Sequence, residues 1–223
     1  AKLKDPGSTM SFEPLTEERI ETDSTYDAGT TTQLMWGARS DVGCVRPHNE
    51  DSYLVQSPLF CVCDGMGGHA AGEVASSIAV ETIAKTAPQS ADAARLAAAV
   101  EAANAAVIEA ALNGLGKPGM GCTATCAYIE NDTLAIAHVG DSRAYLLHEG
   151  TLIRVTRDHS YVEELVDAGE ITADEARVHP NRSVITRALG SDPAMYADHF
   201  TLHIEEGDRL ILCSDGLLSL IHI

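Results

Sequence analysis

Short apolar runs punctuated by Gly, Asn and Asp dominate the chain from about residue 34 onward. They predict strands over 34–39, 52–56, 59–63, 122–129, 133–139, 143–148, 152–155, 197–204 and 209–214. Asn131-Asp132 and His148-Glu149-Gly150 fall where hairpin turns are needed. Two alanine-rich segments carry helical spacing instead. One spans 72–86. The other begins behind Ser90 and Asp92, which can cap it, and sets Leu96, Val100, Ala103, Val107 and Ala111 on one stripe up to about 112. That stripe reads as core, and Asn113-Gly114 with Gly116-Lys117-Pro118-Gly119 ends the helix. Shorter helices are predicted over 160–168, stopped by Gly169, and over 172–177. Helices bunched between hairpin-linked strands indicate a layered sandwich of largely antiparallel sheet.

Residues 1–33 differ. They are rich in Thr, Glu, Asp, Ser and Pro with almost no apolar periodicity, which predicts a disordered acidic tail and order beginning near Gln33. The 223 residues, 45% hydrophobic, suit one core and one domain. A net charge of -18 excludes general nucleic-acid binding, because no basic stripe is present to neutralise phosphates. The same charge suits a protein that gathers cations. No apolar run is long enough to span a bilayer, and no leader is visible. The six cysteines make no CxxC pair and lie mostly inside apolar runs. Buried free thiols in a reducing cytoplasm are therefore expected rather than a zinc site.

Candidate chemistry gathers where strands meet acids. Leu59 to Cys63 runs into Asp64-Gly65, Leu134 to Val139 into Gly140-Asp141, and Leu210 to Cys213 into Ser214-Asp215-Gly216. Upstream, Arg46-Pro47-His48-Asn49-Glu50-Asp51 leads into a strand. An acid at a strand end lies at the rim of a sheet, and several on one rim would form an all-oxygen cage for hard divalent cations. Read singly, each Asp-Gly is more often a turn than a ligand. Their joint order carries the signal.

R-P-H-N-E-D, D-G-M-G-G-H, V-G-D-S-R-A-Y-L, T-R-D-H-S, H-P-x-R-x-x-x-T-R-A-L-G and L-C-S-D-G-L resemble, in order and spacing, the bacterial PP2C-type (PPM) serine/threonine phosphatases over residues 34–217. The resemblance implies an α+β fold, a four-layer αββα sandwich of two mainly antiparallel sheets flanked by helices. It implies two, or with a weaker site three, Mn²⁺ or Mg²⁺ ions, which prefer oxygen donors. Asp64 is the implied bridge between two ions, the Gly65 carbonyl a ligand, and Asp215 a second carboxylate. Glu50 and Asp51 are implied to hold waters on the metals, and Asp141 to help bind the third ion. Arg46 matches the arginine that grips the phosphate, which a planar guanidinium can hold by two oxygens. A water bridging the ions is the implied nucleophile, attacking phosphorus in line with the leaving Ser or Thr oxygen. Some family members carry a histidine directly after Asp-Gly. Here that place is Met66, so His69 is a candidate general acid beside two alternatives, a metal-bound water and a purely structural loop role. Arg143 is expected as an ion-pair partner, Asp158 as a turn cap rather than the alternative, a metal neighbour, and His159 and His179 as surface or flap-loop residues.

The implied reaction is hydrolysis of phosphoserine and phosphothreonine on proteins by a cytoplasmic monomer, with a bacterial Ser/Thr kinase and its targets as partners. Two alternatives stand beside it: a phosphatase of an anti-sigma-antagonist type regulator, and a catalytically impaired phosphoprotein-binding module. The second arises because the family carries a further aspartate in a D-N-x-[ST] motif, whereas this sequence ends eight residues after Asp215. The domain over 34–217 is thus expected to lack its final strands. Residues 218–223, Leu-Ser-Leu-Ile-His-Ile, match one translation frame of a transposase-type sequencing adapter and are expected to be non-native read-through.

Overall fold

The computed structural model describes residues 24–43, 46–68 and 71–221. In chain order these form β1 (Ser24–Thr30), β2 (Met35–Asp41), β3 (Asp51–Gln56), β4 (Leu59–Met66), α1 (Ala71–Thr86), α2 (Ala93–Leu112), β5 (Gly121–Cys122) and β6 (Ala124–Glu130). There follow β7 (Thr133–Val139), β8 (Arg143–His148), β9 (Thr151–Arg154), α3 (Tyr161–Asp167), α4 (Ala173–Val178), β10 (Asp198–His203), β11 (Arg209–Cys213) and α5 (Asp215–Ile221). Of the two main sheets the larger orders its strands β10-β7-β6-β4-β3, with β5 on the end of β4, and the smaller is β11-β8-β9; β1 and β2 form a separate two-stranded sheet. Every pairing is antiparallel. The predicted hairpins close on Asn131 (φ 54°) and on Glu149 with Gly150 (φ 46° and 79°), left-handed positions that Asn and Gly tolerate well. This is the α+β architecture of two antiparallel sheets flanked by helices that the motif order implied.

The period-2 geometry of β7 makes two cores out of one strand. Ala135, Ala137 and Val139 point into a cluster shared with α1 and α2, including Ala75, Ala79, Ile83, Leu96, Val100, Ala103 and Val107. Leu134 and Ile136 point the other way, into a cluster with Ala127, Ala144, Phe200, Leu202, Leu210 and Leu212. The larger sheet is therefore packed on both faces, against helices on one side and the smaller sheet on the other. This explains why β6 and β7 read as continuous apolar runs rather than as alternating ones. Asp92 caps α2 through its Oδ1, which accepts the Arg95 N–H at 3.0 Å. Cys61, Cys63, Cys122, Cys126 and Cys213 are free and buried as expected, and Cys44 lies outside the described residues. Among the described residues no helix is long and apolar enough to cross a membrane.

Order begins earlier than Gln33. The segment expected as a tail contains β1, which pairs with β2 along its whole length, from Ser24↔Asp41 to Thr30↔Met35. Thr31 closes that hairpin, its N–H donating to the Leu34 carbonyl at 2.7 Å while its hydroxyl accepts the Leu34 N–H at 2.9 Å. Most of β1 is exposed, so it is held by backbone pairing rather than apolar burial, and an apolar pattern has nothing to register there. The strand expected over 122–129 is divided at Thr123. Beyond β11 the chain turns helical, and α5 runs through residues 218–221.

His138 on β7 ties strand to loop at full burial. Its Nε2 lies 2.9 Å from the Arg157 carbonyl, which can only accept, so Nε2 carries the proton. Nδ1 then accepts from the Thr125 hydroxyl at 2.9 Å. Burial, reinforced by the neighbouring His159, pushes its pKa down to about 4. A neutral base in the fold titrates later than the same base unfolded, whose pKa is about 6.5. Its stabilising effect is therefore complete above pH 6.5 and is lost as pH falls towards 4. We predict that the wild-type chain loses about 2 kcal/mol more stability between pH 7 and pH 5 than His138→Gln does. Urea unfolding at the two pH values measures this, and parallel losses in both proteins would contradict it.

Candidate active site

Pairing of β3 with β4 places Asp51 directly opposite Asp64 at the end of the larger sheet. Three devices hold that end. The Glu50 carbonyl accepts the Gly65 N–H at 3.1 Å and the Ser76 hydroxyl of α1 at 2.7 Å. Thr123 brackets Asp64: its N–H donates to the Asp64 carbonyl at 2.8 Å, and its Oγ1 accepts the Asp64 N–H at 2.9 Å. Gly65 and Gly72 let α1 close on the strand. A Cβ on Gly65 would lie 2.2 Å from the Gly72 carbonyl oxygen and 2.4 Å from that of Glu50, while one on Gly72 would meet Glu50 Oε1 at 2.9 Å.

The other two acids arrive from neighbouring strand ends. Asp141 follows Gly140, which turns out of β7 at φ 104°, with Thr123 Cγ2 only 2.6 Å from where a Cβ would sit. Ser142 next to it shares a 2.7 Å hydroxyl hydrogen bond with Thr123. Asp215 follows β11 of the smaller sheet, and its neighbour Ser214 donates to Asp51 Oδ2 at 2.8 Å, linking the two sheet ends. Arg46 is exposed at the rim, its Nη1 3.4 Å from Glu50 Oε2. The structure thus brings Glu50, Asp51, Asp64, Gly65, Asp141, Asp215 and Arg46 to one region. His69, the candidate general acid, lies outside the described residues.

The electrostatics are those of crowded like charges. Burial, then repulsion from Asp51, Asp215 and Asp141, raises the Asp64 pKa to about 9. Burial, with Asp215 and Asp158 adding to it, raises Asp141 to about 6. Burial also raises Asp51, against hydrogen bonds from Ser214 and Asp64 that lower it. Among the described residues no three His, Cys, Asp or Glu side chains stand in a closed ligand cage. The donor set nonetheless fits Mg²⁺ or Mn²⁺ on two counts: the candidate donors are all oxygens, and repulsion between buried acids is what a dication would relieve.

Several neighbours differ from expectation. His159 is not a surface or flap-loop residue; at 3% exposure it is buried, because both ring nitrogens find partners inside the fold. Asp158 is not a turn cap. It is buried in a forked ion pair with Arg143, with Nε at 2.9 and 3.1 Å and Nη2 at 2.7 Å, which also settles Arg143 as a structural partner. His179 is half-buried, with its ring 5.9 Å from that of Tyr161. Thr123, Ser76 and Ser214 were not singled out by sequence. Ser214 could have been, as the residue before Asp215, but nothing local marks Thr123.

Fold and site together define an α+β protein of two main antiparallel sheets with a carboxylate cluster where their ends meet. A family model, Protein phosphatase 2C, matches residues 36–219, and the chain belongs to that family. It is similar to the serine/threonine protein phosphatase PstP of Mycobacterium tuberculosis (strain CDC 1551 / Oshkosh), 43% identical over 196 residues, which cover 85% of this chain and 37% of that protein. The chain thus spans little more than a third of the length of that relative. Among solved structures, M. tuberculosis PstP/Ppp superposes with a TM-score of 0.73 at 39% identity, covering 87% of this chain and 79% of the other. The catalytic domain of PstP in complex with two manganese ions gives a TM-score of 0.70 at 37% identity, covering 87% and 78%.

The glycine contact yields a direct expectation. Gly65→Ala must push β4 away from α1, at a cost of about 3 kcal/mol. Thermal unfolding measures the loss; a variant as stable as wild type would show that the strand and helix do not meet as described.

Proposed function

We propose that this chain hydrolyses phosphoserine and phosphothreonine on proteins, using divalent Mn²⁺ or Mg²⁺ held by the acids at the sheet ends. The observation that carries the reading is the convergence of Asp51, Asp64, Asp141 and Asp215 in a member of the Protein phosphatase 2C family. Support for manganese comes from the similar PstP catalytic domain, solved with two such ions. In this reading Asp64, the Gly65 carbonyl and Asp215 would hold the ions, and Glu50 and Asp51 would hold water beside them. Asp141 serves a third, weaker site. When bound, the ions supply positive charge that activates water for attack and offsets charge developing on the phosphoryl oxygens.

The chain's own groups do the rest. Arg46 stands exposed beside the acids and presents a planar fork to two phosphate oxygens, adding positive charge where the substrate enters. Ser214 keeps Asp51 turned towards the smaller sheet, so the two halves of the site keep their spacing. The acid cluster itself repels a phosphate dianion, which makes binding of substrate depend on both the cations and Arg46. The natural targets in this reading are phosphorylated proteins and the Ser/Thr kinase that opposes the enzyme.

Phosphate release from a phosphothreonine peptide, measured with Mn²⁺ and with EDTA, tests this. Activity is expected with Mn²⁺ and not with EDTA, and Asp64→Asn is expected to lower kcat at least about 100-fold. Arg46→Lys keeps the charge but loses the fork, and is expected to lower kcat/KM about tenfold. Hydrolysis that persists in EDTA, or an Asp64→Asn rate equal to wild type, would remove the mechanism.

A further inference from the structure

We propose that His159 is a positioning residue for Asp141: it grips the Gly140 peptide by both its N–H and its carbonyl, and so fixes where the Asp141 carboxylate stands. The inference rests on the reading of Asp141 as a ligand of the weaker divalent site.

Asp141 has reason to leave its place. Asp215 and Asp158 repel it, against a smaller pull from Arg143, and it lies past the end of β7, where the sheet ladder has stopped. Hydrogen bonds fix the residue on either side of it. On one side Ser142 is bonded to Thr123, which also brackets Asp64. On the other side the Gly140 N–H donates to His159 Nδ1 at 3.0 Å, and the His159 N–H donates to the Gly140 carbonyl at 2.8 Å. Gly140 has φ 104° and is packed on Thr123, so its peptide orientation decides the direction in which Asp141 departs.

The chemistry asks for a histidine. Because the Gly140 N–H must be accepted, Nδ1 is unprotonated and Nε2 carries the hydrogen, which points to Asp198 Oδ2 at 2.9 Å. Asp198 opens β10 and is fixed in turn by Arg187 Nη1 at 2.6 Å, whose guanidinium lies 4.1 Å over the Tyr196 ring. The His159 carbonyl accepts the Thr186 N–H at 2.9 Å, and Leu189 three residues on exchanges two backbone hydrogen bonds with Cys122, beside Thr123. The chain of contacts closes on itself: Gly140, His159, the 186–189 segment, Cys122, Thr123, Ser142. Asp141 is the residue inside this ring with no rigid element of its own. Only a side chain with an acceptor at one end and a donor at the other can join Gly140 to Asp198 across that gap.

Mn²⁺ binding to the whole chain tests the proposal without recourse to catalysis, by electron paramagnetic resonance of free Mn²⁺ during titration, with the unfolding temperature of each variant recorded alongside. Asp141→Asn is expected to abolish the weaker class of sites. His159→Ala is expected to weaken that class about tenfold while leaving the tighter class unchanged. His159→Asn, whose amide oxygen can still accept the Gly140 N–H, is expected to recover most of the loss. Asp198→Ala, at a side chain 39% exposed, is expected to weaken the same class severalfold and decides the matter if His159→Ala does not fold. Folded His159→Ala or Asp198→Ala protein that binds Mn²⁺ as wild type does would overturn the inference while Asp141 stands as a ligand. Wild-type binding by Asp141→Asn would overturn that reading and the inference with it.

Discussion

Carboxylates that repel one another are brought together where the ends of two sheets meet, and much of the surrounding structure serves to keep them there. Burial and mutual repulsion lift Asp64 to about 9 and Asp141 to about 6, so the protein alone holds these groups at an energetic disadvantage. The compensation comes from the backbone rather than from the acids. Thr123 brackets Asp64, Ser76 and Gly65 fasten Glu50, and Ser214 reaches across to Asp51. Each acid is thus attached to a neighbour whose own hydrogen bonds are satisfied within the fold. The site resembles a spring held compressed by its frame.

The frame can do this because its central sheet is packed on both faces. Alternate residues of β7 enter separate cores, so neither sheet face is free to slide when the rim is loaded with charge. Small residues decide how close the layers come. Ala75, Ala79 and Gly72 on α1 face β4, and Gly65 answers Gly72 with no side chain on either. The forked pair of Arg143 with Asp158 and the His138 and His159 rings, with centroids 5.0 Å apart, fill the space between the β7 end and the segment after β9 with satisfied polar groups.

The order of motifs made most of this legible in advance. Strand positions followed from apolar runs bounded by turn residues, and the helix behind Asp92 from its stripe and cap. The acids and Arg46 were visible because strand ends and glycines surround them. What escaped had no local signature. β1 is an exposed strand held by pairing, so its residues carry no buried face to betray it. Thr123 sits inside an apolar run where its hydroxyl reads as tolerated rather than needed. His159 and Asp158 lie in a polar stretch that resembles loop sequence, yet both are buried because their partners, Gly140, Asp198 and Arg143, come from distant positions. Long-range polar pairing of this kind is invisible to periodicity.

If the frame holds the acids against their own repulsion, a divalent cation should stabilise the folded chain by relieving it. The direct measurement is the unfolding temperature of the wild-type chain against Mn²⁺ concentration, beside Asp64→Asn. The wild-type value should climb steadily with the logarithm of Mn²⁺ once the sites fill, and Asp64→Asn should start higher without metal and climb less. A wild-type unfolding temperature indifferent to Mn²⁺ would contradict the account.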